Sequence, residues 1–183
     1  MKTMIRAAAA ALAIGLAAPV AAQDSSYLED RIMIEDLMSR YIFALDWRDA
    51  EMYAETFTED GVLNYGGGQA VGRDAIAALV QGIRDNETES AASDATGLRP
   101  PHTQHFVTNI VLDIDGDEAT SWAYWVAMSN NTEDRAARVS SYGHYVDHLR
   151  KVDGEWLFTD RRTFNEQIEG REGPDLSPIM TIN

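Results

Sequence analysis

The chain has 183 residues, with 30 Asp and Glu against 15 Lys and Arg, and a formal charge of −15. Such an acidic surface repels phosphate backbones and anionic lipid, which argues against nucleic-acid or membrane-surface binding. The absence of cysteine removes disulfides, thiolate metal sites and a thiol nucleophile.

Lys2 and Arg6, the apolar run from Ala7 to Ala18 and the small residues Pro19-Val20-Ala21-Ala22 predict a secretory signal peptide cleaved after Ala22. The run is too short to anchor the chain across a bilayer. Its removal leaves 161 residues and, because it holds two cations and no acids, a charge of −17. That is the size of one domain, expected over residues 23–170, with a loosely structured tail at 171–183. The expected location is secreted or periplasmic.

From Tyr27 to Leu45, apolar residues at Leu28, Ile32, Leu37, Met38, Tyr41, Ile42 and Leu45 predict an amphipathic helix. Asp46-Trp47-Arg48-Asp49 breaks it. A shorter helix is expected over 50–57, a turn at Glu59-Asp60-Gly61 and a short strand over 62–65. Gly66-Gly67-Gly68 lacks the Lys-Ser/Thr and the setting of a phosphate loop, and reads as a flexible turn. Gly72-Arg73-Asp74 opens a third helix with Ala75, Ile76, Leu79, Val80 and Ile83 on its inner side. The polar stretch 85–101 reads as a long loop.

Beyond it the period becomes alternating. Strands are predicted over 103–114, 118–129, 137–151 and 155–165, with Asp115-Gly116 and Asp153-Gly154 as hairpin turns. Three helices followed by a strand meander imply an α+β fold, in which a curved antiparallel sheet wraps the helices and encloses a pocket.

Ile34-Glu35-Asp36-Leu37, Tyr41, Asp46, Phe57-Thr58-Glu59-Asp60-Gly61, Gly72-Arg73, Gln104-His105-Phe106-Val107-Thr108-Asn109, Tyr142-Gly143-His144-Tyr145 and Gly154-Glu155-Trp156 form a recognisable series. Over residues 27–165 the chain resembles the SnoaL-like domain family of the NTF2-like superfamily. The resemblance implies a cone of helices in a curved sheet. It also implies kinship with bile-acid dehydratases, scytalone dehydratase, a dehydrochlorinase and cofactor-free lyases of aromatic dimers. In several of these an Asp ending the first helix orients a His on the sheet, which falls here on Asp46 and His105. A donor five residues before the Asp matches Tyr41, and an Arg five residues after a Trp matches Arg161. Tyr65 falls where some relatives carry a second pocket Tyr. By the same resemblance a homo-oligomer, trimer or dimer, is expected.

The chemistry is coherent on its own terms. An imidazole exchanges protons near ambient pH, and a carboxylate beside it fixes its tautomer and stabilises the imidazolium. A phenol and a guanidinium can stabilise a departing oxygen or a developing anion. Such a site drives loss of water, halide or formaldehyde from a small hydrophobic ring compound, and needs no metal or organic cofactor. The same base can serve an isomerase or cyclase, and a non-catalytic ligand-binding domain is the rival from another class.

Spacing adds conditions. Residues five apart do not share a helix face, so Tyr41 and Asp46 converge only if the helix loosens at Asp46. Strict alternation places His105, Val107 and Asn109 on one strand face. It places Leu157, Thr159 and Arg161 opposite Trp156, Phe158, Asp160 and Arg162, making Arg162 the exclusive alternative to Arg161. Taken singly, Asp46 reads as a helix terminator, Tyr41 as core, His105 as a half-buried strand histidine and Arg161 as a salt-bridge partner. A zinc site on His102 and His105 is the weaker alternative. Tyr65, Asn109, Trp125 and His144 are the candidate substrate contacts, in a sheet rich in aromatic rings.

Overall fold

The computed structural model describes residues 21–92 and 100–167. The expected signal peptide up to residue 20, the 93–99 part of the predicted loop and the tail lie outside the described residues.

Helix α1 (Ala21–Trp47) buries Ile34, Leu37, Met38, Tyr41 and Ala44, which recur at the three- and four-residue steps of one helix face. Ile34, Leu37 and Met38 each contribute about 1.5–3 kcal/mol by leaving water. Leu28 and Ile32 fall outside this stripe, 56% and 67% exposed. Asp30 explains the departure. Its Oδ1 accepts from Lys151 Nζ at 2.6 Å and from Trp156 Nε1 at 2.9 Å, which turns the Asp30 face to the sheet.

The helix stays regular through Asp46. Arg48 then takes a left-handed conformation at φ 56°. Its N–H returns to Leu45 O at 3.2 Å and the Asp49 N–H to Ala44 O at 2.9 Å, closing the last carbonyls in a Schellman arrangement. The Arg48 side chain also donates to Leu45 O, and pairs with Glu87 at 2.6 Å. Asp49 then caps helix α2 (Ala50–Glu55), accepting from the Met52 N–H at 3.0 Å.

The chain passes directly into strand β1 (Phe57–Tyr65), so the predicted helix to residue 57 and the turn at 59–61 both give way to strand. The Glu59-Asp60-Gly61 stretch is an irregularity within β1. A Cβ on Gly61 would meet Phe57 Cβ at 2.9 Å and Phe158 O at 3.1 Å, which is why glycine stands there. A strand not expected from the sequence, β2 (Gly68–Val71), pairs back on β1. Helix α3 (Arg73–Ala92) runs into the stretch predicted as loop. It buries Ile76 and Val80, while Ala75 is exposed.

Strands β3 (Thr103–Asp115), β4 (Glu118–Ser129), β5 (Arg138–Val152) and β6 (Glu155–Asn165) form the expected antiparallel meander. The sheet order is β2-β1-β6-β5-β4-β3. Strand β1 lies parallel to β6, so the sheet is mixed rather than wholly antiparallel. The long path through α3 and the meander returns β6 beside β1 in the same direction. The inner face carries Ala119, Ala123, Trp125 and Ala127 of β4, Tyr145 and Leu149 of β5 and Trp156 and Phe158 of β6, packed against α1 and α2.

Two bulges change which residues face inward. In β3 the register shifts between Thr108 and Val111, and Asn109 sits at φ 56°. In β6 Phe158 pairs with Leu149 and Asp160 with His148, leaving Thr159 as an extra residue. Strict alternation therefore fails at both places.

Candidate active site

Asp46 lies in the last turn of α1, where the Schellman closure fixes its backbone, and faces His105 near the start of β3. The carboxylate uses both oxygens. Oδ1 lies 2.6 Å from His105 Nδ1, and Oδ2 accepts the His105 backbone N–H at 2.9 Å. This double hold fixes the ring against rotation. With the Nδ1 hydrogen on the carboxylate, Nε2 carries the lone pair of a base. The two side chains are 18% and 8% exposed, so the pair is shielded yet reachable.

Trp125 forms the wall beside the pair, its ring centroid 6.3 Å from that of His105. Its Nε1 donates to Phe164 O at 3.2 Å. Gly143 makes room: a Cβ there would lie 1.8 Å from Phe164 O and 3.0 Å from the indole. Tyr145 continues the wall at 6.1 Å from Trp125.

Tyr41 and Arg161 meet in a second, deeper cluster. The Arg161 guanidinium lies 4.0 Å from the Tyr41 ring centroid, 3.9 Å from Tyr145 and 4.2 Å from Phe158, and the side chain is wholly buried. Its Nη2 donates to Asp147 Oδ2 at 3.2 Å, and Nε sits 3.1 Å from Oδ1 but off the hydrogen-bond axis. Nη1 finds no hydrogen-bond partner among the described residues. Ser121 Oγ donates to the same Asp147 carboxylate at 2.8 Å. Burial pushes Asp147 up to about 6, against the pull of Arg161. Asp147 holds the guanidinium charged, although burial opposes that charge. Tyr53 Oη donates to Tyr41 Oη at 2.5 Å, their rings 4.5 Å apart. Burial raises both phenols, and Tyr41 is eased back by Arg161 and by the Tyr53 hydroxyl.

The structure thus brings Asp46 to His105 and Tyr41 to Arg161, as two clusters joined through Trp125 and Tyr145. Tyr41 does not turn to Asp46, because the helix does not loosen there. The β6 bulge corrects the alternation drawn from the sequence: Arg161 shares the inner face with Trp156 and Phe158, while Arg162 is exposed and bound to Asp160 at 2.9 Å.

Among the expected substrate contacts, Trp125 lies on the inner wall, and Tyr65 is half-buried on the face of buried Leu63. Asn109 and His144 are corrections. The β3 bulge puts Ile110, Leu112 and Ile114 inward in place of Asn109, which is exposed. His144 faces out of the sheet, stacked on Phe164 at 4.5 Å with Nδ1 2.8 Å from Glu166. His102 turns to Trp47 at 5.3 Å, whereas His105 turns to Asp46.

The sequence does not single out Tyr53 or Asp147 as site residues, and offers Tyr145 only as one of the aromatic rings of the sheet. For Asp147 a signal was present, since it alternates with Tyr145 and Leu149 on an otherwise apolar row. Tyr53 sits on a six-residue helix too short to show a period.

These features define an α+β cone with a histidine–carboxylate pair on its inner face. The chain belongs to the SnoaL-like domain family, which matches residues 26–162. A candidate scytalone dehydratase from Novosphingobium aromaticivorans is 31% identical, with 78% of this chain and 87% of that one covered at a TM-score of 0.60. An NTF2-like protein with a cystatin-like fold from the same species is 27% identical, over 80% and 88%, at a TM-score of 0.64. A Mycobacterium tuberculosis protein of unknown function is 26% identical, over 83% and 80%, at a TM-score of 0.66. No curated protein sequence matches the chain.

Proposed function

We propose that the protein is a cofactor-independent lyase acting on a small, hydrophobic, ring-containing substrate, aromatic or lignin-derived compounds included. The observation that carries this reading is the His105–Asp46 pair at 2.6 Å, with the second Asp46 oxygen on the His105 backbone. His105 Nε2 takes a proton from substrate carbon, and the electron pair of that C–H bond forms the new double bond as the leaving group departs. Asp46 stabilises the imidazolium that results. In loss of formaldehyde the same nitrogen takes a hydroxyl proton instead; the O–H electron pair becomes the formaldehyde carbonyl, and the pair of the broken carbon–carbon bond forms the new double bond as the leaving group departs. Tyr41 serves as hydrogen donor to a leaving oxygen. Arg161 acts through its charge, which buried surroundings screen little.

The chain's first 22 residues support export to the periplasm or beyond, with the folded domain spanning 23–170. A homo-oligomer is proposed on the outer sheet face, where Phe106 (46%), Tyr124 (58%) and Tyr142 (50%) lie exposed.

The test is mass spectrometry of the protein with steroid alcohols, halogenated rings and lignin-type aromatic diols, without cofactor and with a chelator. Loss of water, hydrogen halide or formaldehyde establishes the lyase. A product of unchanged mass points to an isomerase or cyclase. Tight binding without turnover, indifferent to loss of Asp46 and His105, points to a binding domain.

A further inference from the structure

The Tyr53 hydroxyl has one partner. Its Oη lies 2.5 Å from Tyr41 Oη, and no other hydrogen bond is made by either phenol among the described residues. Asp49 caps the short helix that carries Tyr53, and Thr56 Oγ1 bonds back to Tyr53 O at 2.6 Å, so its backbone is held at both ends. Its ring packs 4.5 Å from Tyr41 and 6.0 Å from Phe57. Burying a hydroxyl costs free energy unless it is hydrogen-bonded; Tyr53 is satisfied as donor, whereas the Tyr41 hydrogen has no acceptor among the described residues.

We propose that Tyr53 is a positioning residue for Tyr41: it donates its hydrogen to Tyr41 Oη, directs the Tyr41 hydrogen toward the reacting oxygen and stabilises the charge that gathers as that hydrogen leaves. This rests on the donor role given to Tyr41 above. In the step concerned, the Tyr41 O–H bond breaks and a new O–H bond forms on the departing oxygen. The negative charge is left on Tyr41, and it is later cancelled by the proton held on His105.

The groups around Tyr41 are consistent with this. Arg161 of β6 lies over its ring at 4.0 Å, Tyr145 of β5 stands edge-on at 6.3 Å, and the Asp147 carboxylate lies behind Arg161. Burial above all raises the Tyr53 phenol, with Tyr41 and Tyr145 adding to the rise and Arg161 opposing it. Asp147 opposes ionisation of Tyr41, whereas Arg161 and the Tyr53 hydroxyl favour it, and of these only the Tyr53 contribution is removed by deleting one oxygen.

The experiment places 3-fluorotyrosine at position 41 and follows its fluorine resonance against pH in the full chain, with and without Tyr53→Phe. The titration midpoint should rise by about one pH unit or more on loss of the Tyr53 hydroxyl, a tenfold or larger change in proton affinity. An unchanged or lowered midpoint overturns the proposal. Should Tyr53→Phe not fold, the wild-type protein still decides. A downfield, slowly exchanging hydroxyl proton in contact with both rings, lost in Tyr41→Phe, is the expected result, and its absence overturns the assignment. With any compound turned over, Tyr53→Phe should lower kcat at least tenfold with KM little changed. If the midpoint moves while Tyr41→Phe retains full turnover, the Tyr53–Tyr41 coupling stands and the donor role of Tyr41 falls.

Discussion

The Asp46–His105 pair and the Arg161 cluster use the same kinds of group under opposite conditions. The first is 18% and 8% exposed, is held by two hydrogen bonds at 2.6 and 2.9 Å, and leaves His105 Nε2 without a hydrogen bond among the described residues. The second is sealed, with a guanidinium on three aromatic rings and a carboxylate at 0% exposure beneath it. An ion pair so deep contributes little net stability, because desolvation offsets most of the attraction, yet breaking it leaves a bare buried charge. Exposure therefore divides the roles. The shielded but reachable pair takes the substrate proton, whereas the sealed Arg161–Asp147 ion pair shapes the wall and supplies a fixed positive field to Tyr41, the hydrogen donor beside it.

That division is sharpest at Arg161. Arg161→Ala should destabilise the fold by about 3–5 kcal/mol, by leaving Asp147 unpaired, as read by urea unfolding. A loss below about 1 kcal/mol would mean that the cluster is not a supporting element.

Gly143→Ala probes the wall between the regions. A Cβ 1.8 Å from Phe164 O forces β5 and β6 apart, so we expect a loss of about 1–3 kcal/mol and a shift in tryptophan emission as Trp125 moves. Unchanged emission and stability would show that the wall tolerates the atom.

The smallest effect is one of pH. Burial raises Asp147 from 3.8 to about 6, so the folded chain holds this proton more tightly than the unfolded chain does. The stability this confers is fully present below about 3.8 and is lost as pH rises through about 6. Asp147→Asn should flatten that fall in a melting series across the window. An unaltered slope would contradict the assignment.

Much of the fold was legible because periodicity reports burial. The alternating apolar row of β4 and the two Asp-Gly turns placed the meander within a residue or so. The errors have local causes. Leu28 and Ile32 belong to the apolar stripe of the sequence but turn outward, because Asp30, bound to Lys151 and Trp156, sets the face. The inner partners of β3 and β6 depart from strict alternation because bulges at Asn109 and Thr159 reset it, and no residue type announces them. In the candidate site, Asp46 and His105 are 59 residues apart. Only the family resemblance linked them, since spacing along the chain does not encode proximity across a fold.

The most direct test of the central claim is a double-mutant cycle on turnover with Asp46→Asn, His105→Ala and both together. If the two residues act as one unit, His105→Ala should cost about 10²–10⁴-fold in kcat, and the double variant little more. Independent, multiplying losses, or full activity in His105→Ala, would contradict the account.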